Sequence, residues 1–138
     1  MPQRPAIVEL GEASSIEARI LVADDFEPFR LEIRSSLERK TKWHIIEACD
    51  GLEAVQKAVK LHPDVVLLDV SMPRLNGIEA ARRIRELSPQ SVIVFLSENA
   101  DEDVIAAALE TGAAAFVLKR EMRAELIPTI QMALRVQS

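Results

Sequence analysis

Five polar residues of this sequence are of types that together could support phosphoryl transfer. They are three carboxylates, one hydroxyl and one ammonium group: Asp24, Asp25, Asp69, Ser97 and Lys119. Crowded carboxylates repel one another unless a cation shares their site, and Mg²⁺ binds through a few protein oxygens and several waters. With a metal ion and a lysine neutralising the phosphoryl oxygens, a free carboxylate can attack phosphorus in line and form an acyl phosphate.

Each of these residues taken alone has a simpler interpretation. An aspartate after a strand is often a helix N-cap or a turn residue. Ser97 alone would be a loop hydroxyl, and Lys119 alone a solvated surface charge. Their occurrence after successive predicted strands favours a common site, because the carboxyl ends of parallel strands meet at one edge of a sheet, where ligands bind.

The predicted strands are short runs rich in β-branched residues. They cover Arg19 to Ala23, His44 to Ala48, Val65 to Leu68, Val92 to Leu96 and Ala115 to Leu118. Three of them are almost wholly apolar, as expected for strands covered on both faces. The second strand ends at Cys49 and Asp50, which the predicted strand order places away from the other acids.

Longer stretches with helical periodicity follow each predicted strand. They cover Phe26 to Lys40, Gly51 to Leu61, Ile78 to Leu87, Asp101 to Glu110 and about Met122 to Val136. Pro128 within the last stretch predicts a late start or a kink, since proline lacks the N–H that the helix needs.

This alternation predicts an α/β domain: a doubly wound, flavodoxin-like sheet of five parallel strands in the order 2-1-3-4-5. The chain has 138 residues, of which 49% are hydrophobic and 28% charged, enough for one domain with a real core. Residues 1–18 lie outside the alternation and are interpreted as an N-terminal extension, and residues 19–138 as the domain.

Composition excludes several classes of function. A net charge of −5 argues against direct nucleic-acid binding, which rewards clustered lysine and arginine. The sole cysteine, Cys49, excludes an internal disulfide and fits a reducing cytosol. No stretch approaches the roughly 20 apolar residues of a membrane span. We therefore expect a cytoplasmic protein that does not bind membranes.

The segments "RILVADD", "DVVLLDVSMPRLNGIEAARRIRE", "VIVFLSE" and "AAAFVLK" resemble those of two-component response-regulator receiver domains, over about residues 19 to 136. The most specific is the second, in which Asp69, a Met-Pro pair and an Asn-Gly pair follow one another at the family's spacing. The resemblance implies a phosphorylation switch rather than a turnover enzyme, with a sensor histidine kinase or phosphotransfer protein as donor and an output domain or effector as receiver of the signal.

The resemblance also implies a role for each site residue. Asp69 would accept the phosphoryl group, and Asp24, Asp25, Asp69 and the backbone carbonyl of Ser71 would bind Mg²⁺. Ser97 would hydrogen-bond the phosphoryl group and Lys119 would pair with it. Movement of Ser97 would be coupled to rotation of Phe116, remodelling the surface of helix 4, strand 5 and helix 5. Transcriptional control and a homodimer through helices 4 and 5 are further expectations from the family.

Three positions in and beside these motifs call for particular expectations. Arg120 stands where the family commonly has a proline after the lysine, so we expect a trans peptide bond or a different loop there. Glu98 replaces a usually small residue and should slow access of phosphoryl donors or of water. Gly77 is expected to allow a turn with positive φ at the start of helix 3.

Two alternative functions remain open from the sequence. A degenerate receiver would serve as a docking module without taking phosphate, and Glu98 is the feature that favours it. A phosphohydrolase of the haloacid dehalogenase type would also form an aspartyl phosphate. That class typically needs a second carboxylate two residues after the nucleophile, where this chain has Ser71.

Overall fold

Five short strands form one parallel sheet in a computed structural model, which describes residues 17–137. They are β1 (Arg19–Ala23), β2 (His44–Ala48), β3 (Val65–Asp69), β4 (Val92–Ser97) and β5 (Ala115–Leu118). Their order is β2-β1-β3-β4-β5, which confirms the predicted topology. β3 and β4 are each one residue longer than predicted, so Asp69 and Ser97 are the last residues of their strands.

Five α-helices connect and cover the strands. They are α1 (Glu27–Lys40), α2 (Gly51–Leu61), α3 (Gly77–Leu87), α4 (Glu102–Glu110) and α5 (Met122–Gln137), the last preceded by a 3₁₀ turn (Lys119–Glu121). Side chains cap three of these helices at their N-termini. The carboxylates of Asp50 and Asp101 and the amide oxygen of Asn76 each accept a backbone N–H from the first turn, which satisfies a donor that the helix itself cannot.

Helix α5 does not begin late, so the predicted late start is wrong, while the kink given as its alternative stays a prediction. The helix starts at Met122, directly after the 3₁₀ turn, and continues through Pro128. Leu126 and Ile130, on either side of the proline, are both buried against the sheet. Their burial holds the segment in place and outweighs the backbone hydrogen bond that the proline cannot donate.

The core consists of two layers, one on each face of the sheet. Alternate residues of β1 show the division: Ile20 and Val22 pack against α1 and α5, whereas Leu21 and Ala23 pack against α2, α3 and α4. All five residues of β3, the central strand, are buried. Asp69, the last residue of β3, is therefore buried at the edge where the acids were predicted to meet.

Two predictions about the chain's setting can be compared with the described residues only in part. The predicted N-terminal extension, residues 1–18, lies outside them except for Glu17 and Ala18. Among the helices of residues 17–137, none is long and apolar enough to cross a bilayer.

Candidate functional site

Three aspartates meet at the carboxyl end of the sheet. Asp24 and Asp25 directly follow β1, Asp69 ends β3, and these two strands are hydrogen-bonded neighbours. One carboxylate oxygen from each residue lies within 4.8 Å of the others. Asp24 and Asp69 are buried, while Asp25 is exposed. Such a set of hard oxygen donors, open to solvent on one side, fits a divalent cation that keeps some of its waters.

Lys119, which follows the edge strand β5, brings a positive charge to the same three aspartates. Its Nζ donates a hydrogen bond to Oδ2 of Asp24 at 2.7 Å and lies 3.4 Å from Oδ1 of Asp69. Burial alone would lower the pKa of Lys119, but the two carboxylates outweigh it and raise the pKa. The lysine is therefore charged and bridges both buried acids.

Asp69 is held in an unfavourable environment for a carboxylate. Burial raises its pKa to about 6 from 3.8, the charge of Asp24 adds to the increase, and Lys119 only partly opposes it. One ammonium group does not neutralise three carboxylates, so the cluster retains an excess of negative charge. An added cation would relieve this excess, which is a second physical reason why the cluster suits a metal ion.

Ser97 is buried at the end of β4 and forms its hydrogen bonds within its own loop. Its Oγ accepts the backbone N–H of Asn99 at 3.1 Å and donates to the carbonyl of the same residue at 3.2 Å. Glu98, next in the chain, is exposed. Both line one cavity with the acids and the lysine; its lining includes Asp24, Asp25, Phe26, Phe29, Asp69, Ser71, Ser97, Glu98, Lys119 and Arg120.

The loop between β3 and α3 packs tightly against Asp69. A Cβ on Gly77 would lie 2.1 Å from the carbonyl oxygen of Asp69, so only glycine fits at this approach. The expectation of a positive φ at Gly77 is wrong: the positive φ of this loop, 69°, belongs to Arg74. Ser71 is exposed and lines the same cavity.

Comparison with known proteins places this geometry in a family. The family model for the response regulator receiver domain matches residues 20–131. The chain belongs to this family.

Relatives of this receiver domain include proteins with different overall roles. It is 40% identical over 117 residues to the transcriptional regulatory protein LiaR of Bacillus subtilis, covering 83% of the chain and 55% of that protein. It is 36% identical over 129 residues to a protein-glutamate methylesterase/protein-glutamine glutaminase of Thermotoga maritima, covering 86% of the chain and 38% of that protein. It thus spans between 27% and 58% of the curated relatives compared, and an enzymatic name among them belongs to the longer protein.

Solved structures agree with the fold. The response regulator domain of Thermotoga maritima CheB has a TM-score of 0.80 at 33% identity, covering 86% of this chain and 96% of that one. A two-component response regulator of the LuxR family from Aurantimonas has a TM-score of 0.81 at 32% identity, covering 86% of both chains. The doubly wound architecture predicted from the strand pattern is therefore that of a receiver domain.

Two further predicted residues can now be located in the receiver domain. Arg120 lies in the 3₁₀ turn, and no peptide bond within residues 17–137 is cis, which confirms the expected trans bond. Phe116 is half-buried in β5, with its ring centroid 6.5 Å from that of Phe95 and the planes tilted by 36°. Its role as a switch stays a prediction.

The sequence analysis missed an arginine that supports the acid pair. The guanidinium of Arg30, in α1, donates to the backbone carbonyl of Asp24 and to Glu47 Oε1 of β2, both at 2.7 Å. Arg34 donates to the other oxygen of Glu47 at 2.6 Å. Burial would raise the pKa of Glu47, but the two guanidinium groups lower it. A glutamate within the strand "HIIEA" was the available signal that a cation lay above β2.

It also missed Phe29, which periodicity placed simply on the apolar stripe of α1. The Phe29 ring packs against the core, yet Lys119 Nζ lies over its face, 4.2 Å from the centroid. Nothing in the sequence pairs these two residues, which only the tertiary fold brings together.

Proposed function

We propose that this receiver domain accepts a phosphoryl group on Asp69 from a phosphohistidine of a sensor kinase or phosphotransfer protein, in a reaction that depends on Mg²⁺. The observation that carries the proposal is the convergence of three carboxylates within 4.8 Å of one another with Lys119 Nζ 3.4 Å from Asp69. This arrangement provides a nucleophile and a fixed positive charge, and its other two acids can hold a metal ion.

The residues that would hold Mg²⁺ are Asp24, Asp25, Asp69 and the backbone carbonyl of Ser71. Asp25 is the exposed member of the trio and the one not engaged by Lys119, so it is the natural first ligand for an ion arriving from water. When bound, the ion would supply charge neutralisation for the phosphoryl oxygens.

In the transfer itself, a carboxylate oxygen of Asp69 forms a bond to phosphorus as the bond from phosphorus to the donor's imidazole nitrogen breaks. The imidazole leaves with the electron pair of that bond and takes a proton from water. Lys119 neutralises charge on the phosphoryl oxygens, and the Ser97 hydroxyl donates a hydrogen bond to one of them. The Ser97 hydroxyl must first give up its bond to the Asn99 carbonyl, which removes one of the contacts that hold its loop.

The output of this switch would leave through α4, β5 and α5. Phe116 rests partly exposed against Phe95, and a shift of the Ser97 loop would open or close space for its ring. We infer an output domain or partner protein as the recipient, acting in transcription, since several relatives are transcriptional regulatory proteins. The protein would work in the cytoplasm as a switch rather than as a turnover enzyme, and could dimerise through α4 and α5.

Mass spectrometry after incubation with acetyl phosphate and Mg²⁺ tests the proposal. The expected result is one phosphoryl adduct on the wild-type protein and none on Asp69→Asn or after chelation of the metal. Asp64→Asn, a carboxylate at the opposite end of β3, serves as the control that should keep the adduct. An unmodified wild-type protein that still binds partners would overturn the proposal in favour of the docking module. Repeated phosphate release from unrelated monoesters would instead indicate a hydrolase.

A further inference from the structure

Phe29 is the aromatic side chain whose ring face is turned to the charged end of Lys119. The Nζ lies 4.2 Å from the ring centroid. The ring is anchored on its other side, since Phe29 packs against the core formed by α1, α5 and the sheet. A fixed ring is therefore in place beside a cation that also contacts two buried carboxylates.

The position of the Lys119 ammonium group depends on such a contact more than the positions of the carboxylates do. It lies at the start of the turn after β5, an edge strand in which only Val117 is buried. Its four-carbon side chain is flexible, and its carboxylate partners lie at the ends of β3 and β1, two and three strands away from β5 in the sheet. A cation over an aromatic face is attracted by the negative charge of the π-system, and the ring also excludes water from one side of the ammonium group.

We propose that Phe29 is a positioning residue that holds the Lys119 ammonium group between Asp24 and Asp69. The inference deepens the proposed function and rests on it, because Lys119 is there the group that neutralises the phosphoryl oxygens. The lysine sits closer to Asp24, at 2.7 Å, than to Asp69, at 3.4 Å. The ring keeps it within reach of Asp69 rather than free to swing into the cavity.

A simple core role for Phe29 makes a different prediction. If only apolar bulk mattered, leucine would serve as well as phenylalanine, and the lysine would not sense the change. Phe29→Leu removes the π face but keeps a large apolar side chain, and Phe29→Tyr keeps the face. Leu31→Ala is the control, since Leu31 lies on the same helix, is 47% exposed and is absent from the lining of the site cavity.

The first measurement needs neither metal nor phosphoryl donor. In protein labelled with ¹³C-lysine, the Hε and Cε signals of Lys119, assigned by their loss in Lys119→Arg, report the ring current of Phe29. We expect them to be displaced from the other lysine signals in the wild type, Phe29→Tyr and Leu31→Ala, and to move toward the others in Phe29→Leu. Unchanged Lys119 signals in Phe29→Leu would overturn the inference.

The second measurement titrates beryllofluoride in the presence of Mg²⁺, with thermal unfolding to confirm that each variant is folded. We expect about three- to tenfold weaker binding for Phe29→Leu, a loss of the size that one cation–π contact provides, and wild-type binding for Phe29→Tyr and Leu31→Ala. Equal affinity of the wild type and Phe29→Leu would overturn the inference. A wild-type protein that binds no beryllofluoride would overturn the proposed function instead. The Lys119 signals would still test the contact with Phe29 in that case, because they need no bound ligand.

Discussion

The two halves of the site differ in how firmly the fold holds them. The acid side, meaning β1, β3 and the loops that follow them, ends in strands that are almost wholly buried. On the hydroxyl side, meaning the end of β4 with α4 and β5, β4 is almost wholly buried too, but its neighbours are loosely packed: α4 buries only Ala108, and β5 only Val117. A segment with few buried apolar contacts opens at low free-energy cost.

The hydrogen bonds of Asp24 and Ser97 show the same contrast. Asp24 is bonded to three other parts of the fold: its N–H donates to β2, its carbonyl accepts from Arg30, and one carboxylate oxygen accepts from Lys119, while the other accepts the Phe26 N–H of its own loop. Within residues 17–137, the Ser97 hydroxyl hydrogen-bonds only to the backbone of Asn99, in its own loop. The repelling carboxylates are thus held by several elements of the fold, whereas the hydroxyl that moves in the proposed function is held by its own loop.

The largest expected difference between the sides concerns their glycines. Gly77→Ala, on the acid side, would place a Cβ 2.1 Å from the backbone oxygen of Asp69, whereas Gly112→Ala, after α4, would meet the flexible side chain of Arg85 at 2.9 Å with φ of +93°. We expect Gly77→Ala to lower the free energy of unfolding by about 3 kcal/mol and Gly112→Ala by about 1 kcal/mol. Urea denaturation measures both free energies. A larger loss for Gly112→Ala than for Gly77→Ala would contradict the contrast between the two sides.

The next largest effect comes from the buried charge of Asp69 on the acid side. The pKa of Asp69 is raised to about 6 from 3.8, so the folded state binds more protons between these values and loses stability as the pH rises through them. Without metal at pH 7, Asp69→Asn should stabilise the domain by roughly 1–3 kcal/mol, a gain that shrinks below pH 6 and disappears near pH 4. Chemical denaturation across this range measures it; a gain independent of pH would contradict the assignment.

A smaller effect is expected from the ion pairs above β2. Glu47→Gln removes the partner of both Arg30 and Arg34, whose contacts with it are partly buried, and should cost about 1–2 kcal/mol of unfolding free energy. Glu38→Gln is the matched control, because Glu38 pairs with Arg34 alone at the surface, and should cost no more than about 0.5 kcal/mol. Equal costs would show that Glu47 does not frame the acid side.

The smallest expected effect lies on the hydroxyl side and concerns rates rather than stability. Glu98 is exposed at the cavity that holds Asp69, so Glu98→Ala should raise the rate of labelling by acetyl phosphate about two- to fivefold by reducing repulsion of the dianion. The gain should shrink as salt is added. Glu102→Ala, in α4 and outside the cavity lining, should leave the rate as it is. Equal labelling rates in Glu98→Ala and Glu102→Ala would show that the charge of Glu98 does not slow access of the donor.

Most of the fold could be predicted because periodicity reports burial directly. Alternating apolar runs gave the five strands and five helices, and short right-handed connections then left few possible topologies. The errors fall where local rules compete with packing. Pro128 should disfavour a helix, yet the buried side chains beside it keep α5 continuous. Gly77 was expected to be needed for a positive φ, whereas the actual constraint is the close approach of the Asp69 carbonyl oxygen, which leaves no room for a Cβ.

The sequence by itself determined which chemical groups stand at the strand ends. Each buried strand appears in it as an apolar run, and the polar residue that follows the run marks where the strand reaches solvent. The sequence could not determine how those groups pair. Lys119 and Asp24 are 95 positions apart and joined by a 2.7 Å hydrogen bond, and Phe29 and Arg30 reach the site from a helix that shows only its apolar periodicity. The tertiary structure decided these contacts, since a side chain's partners depend on how elements pack and not on its neighbours in the chain.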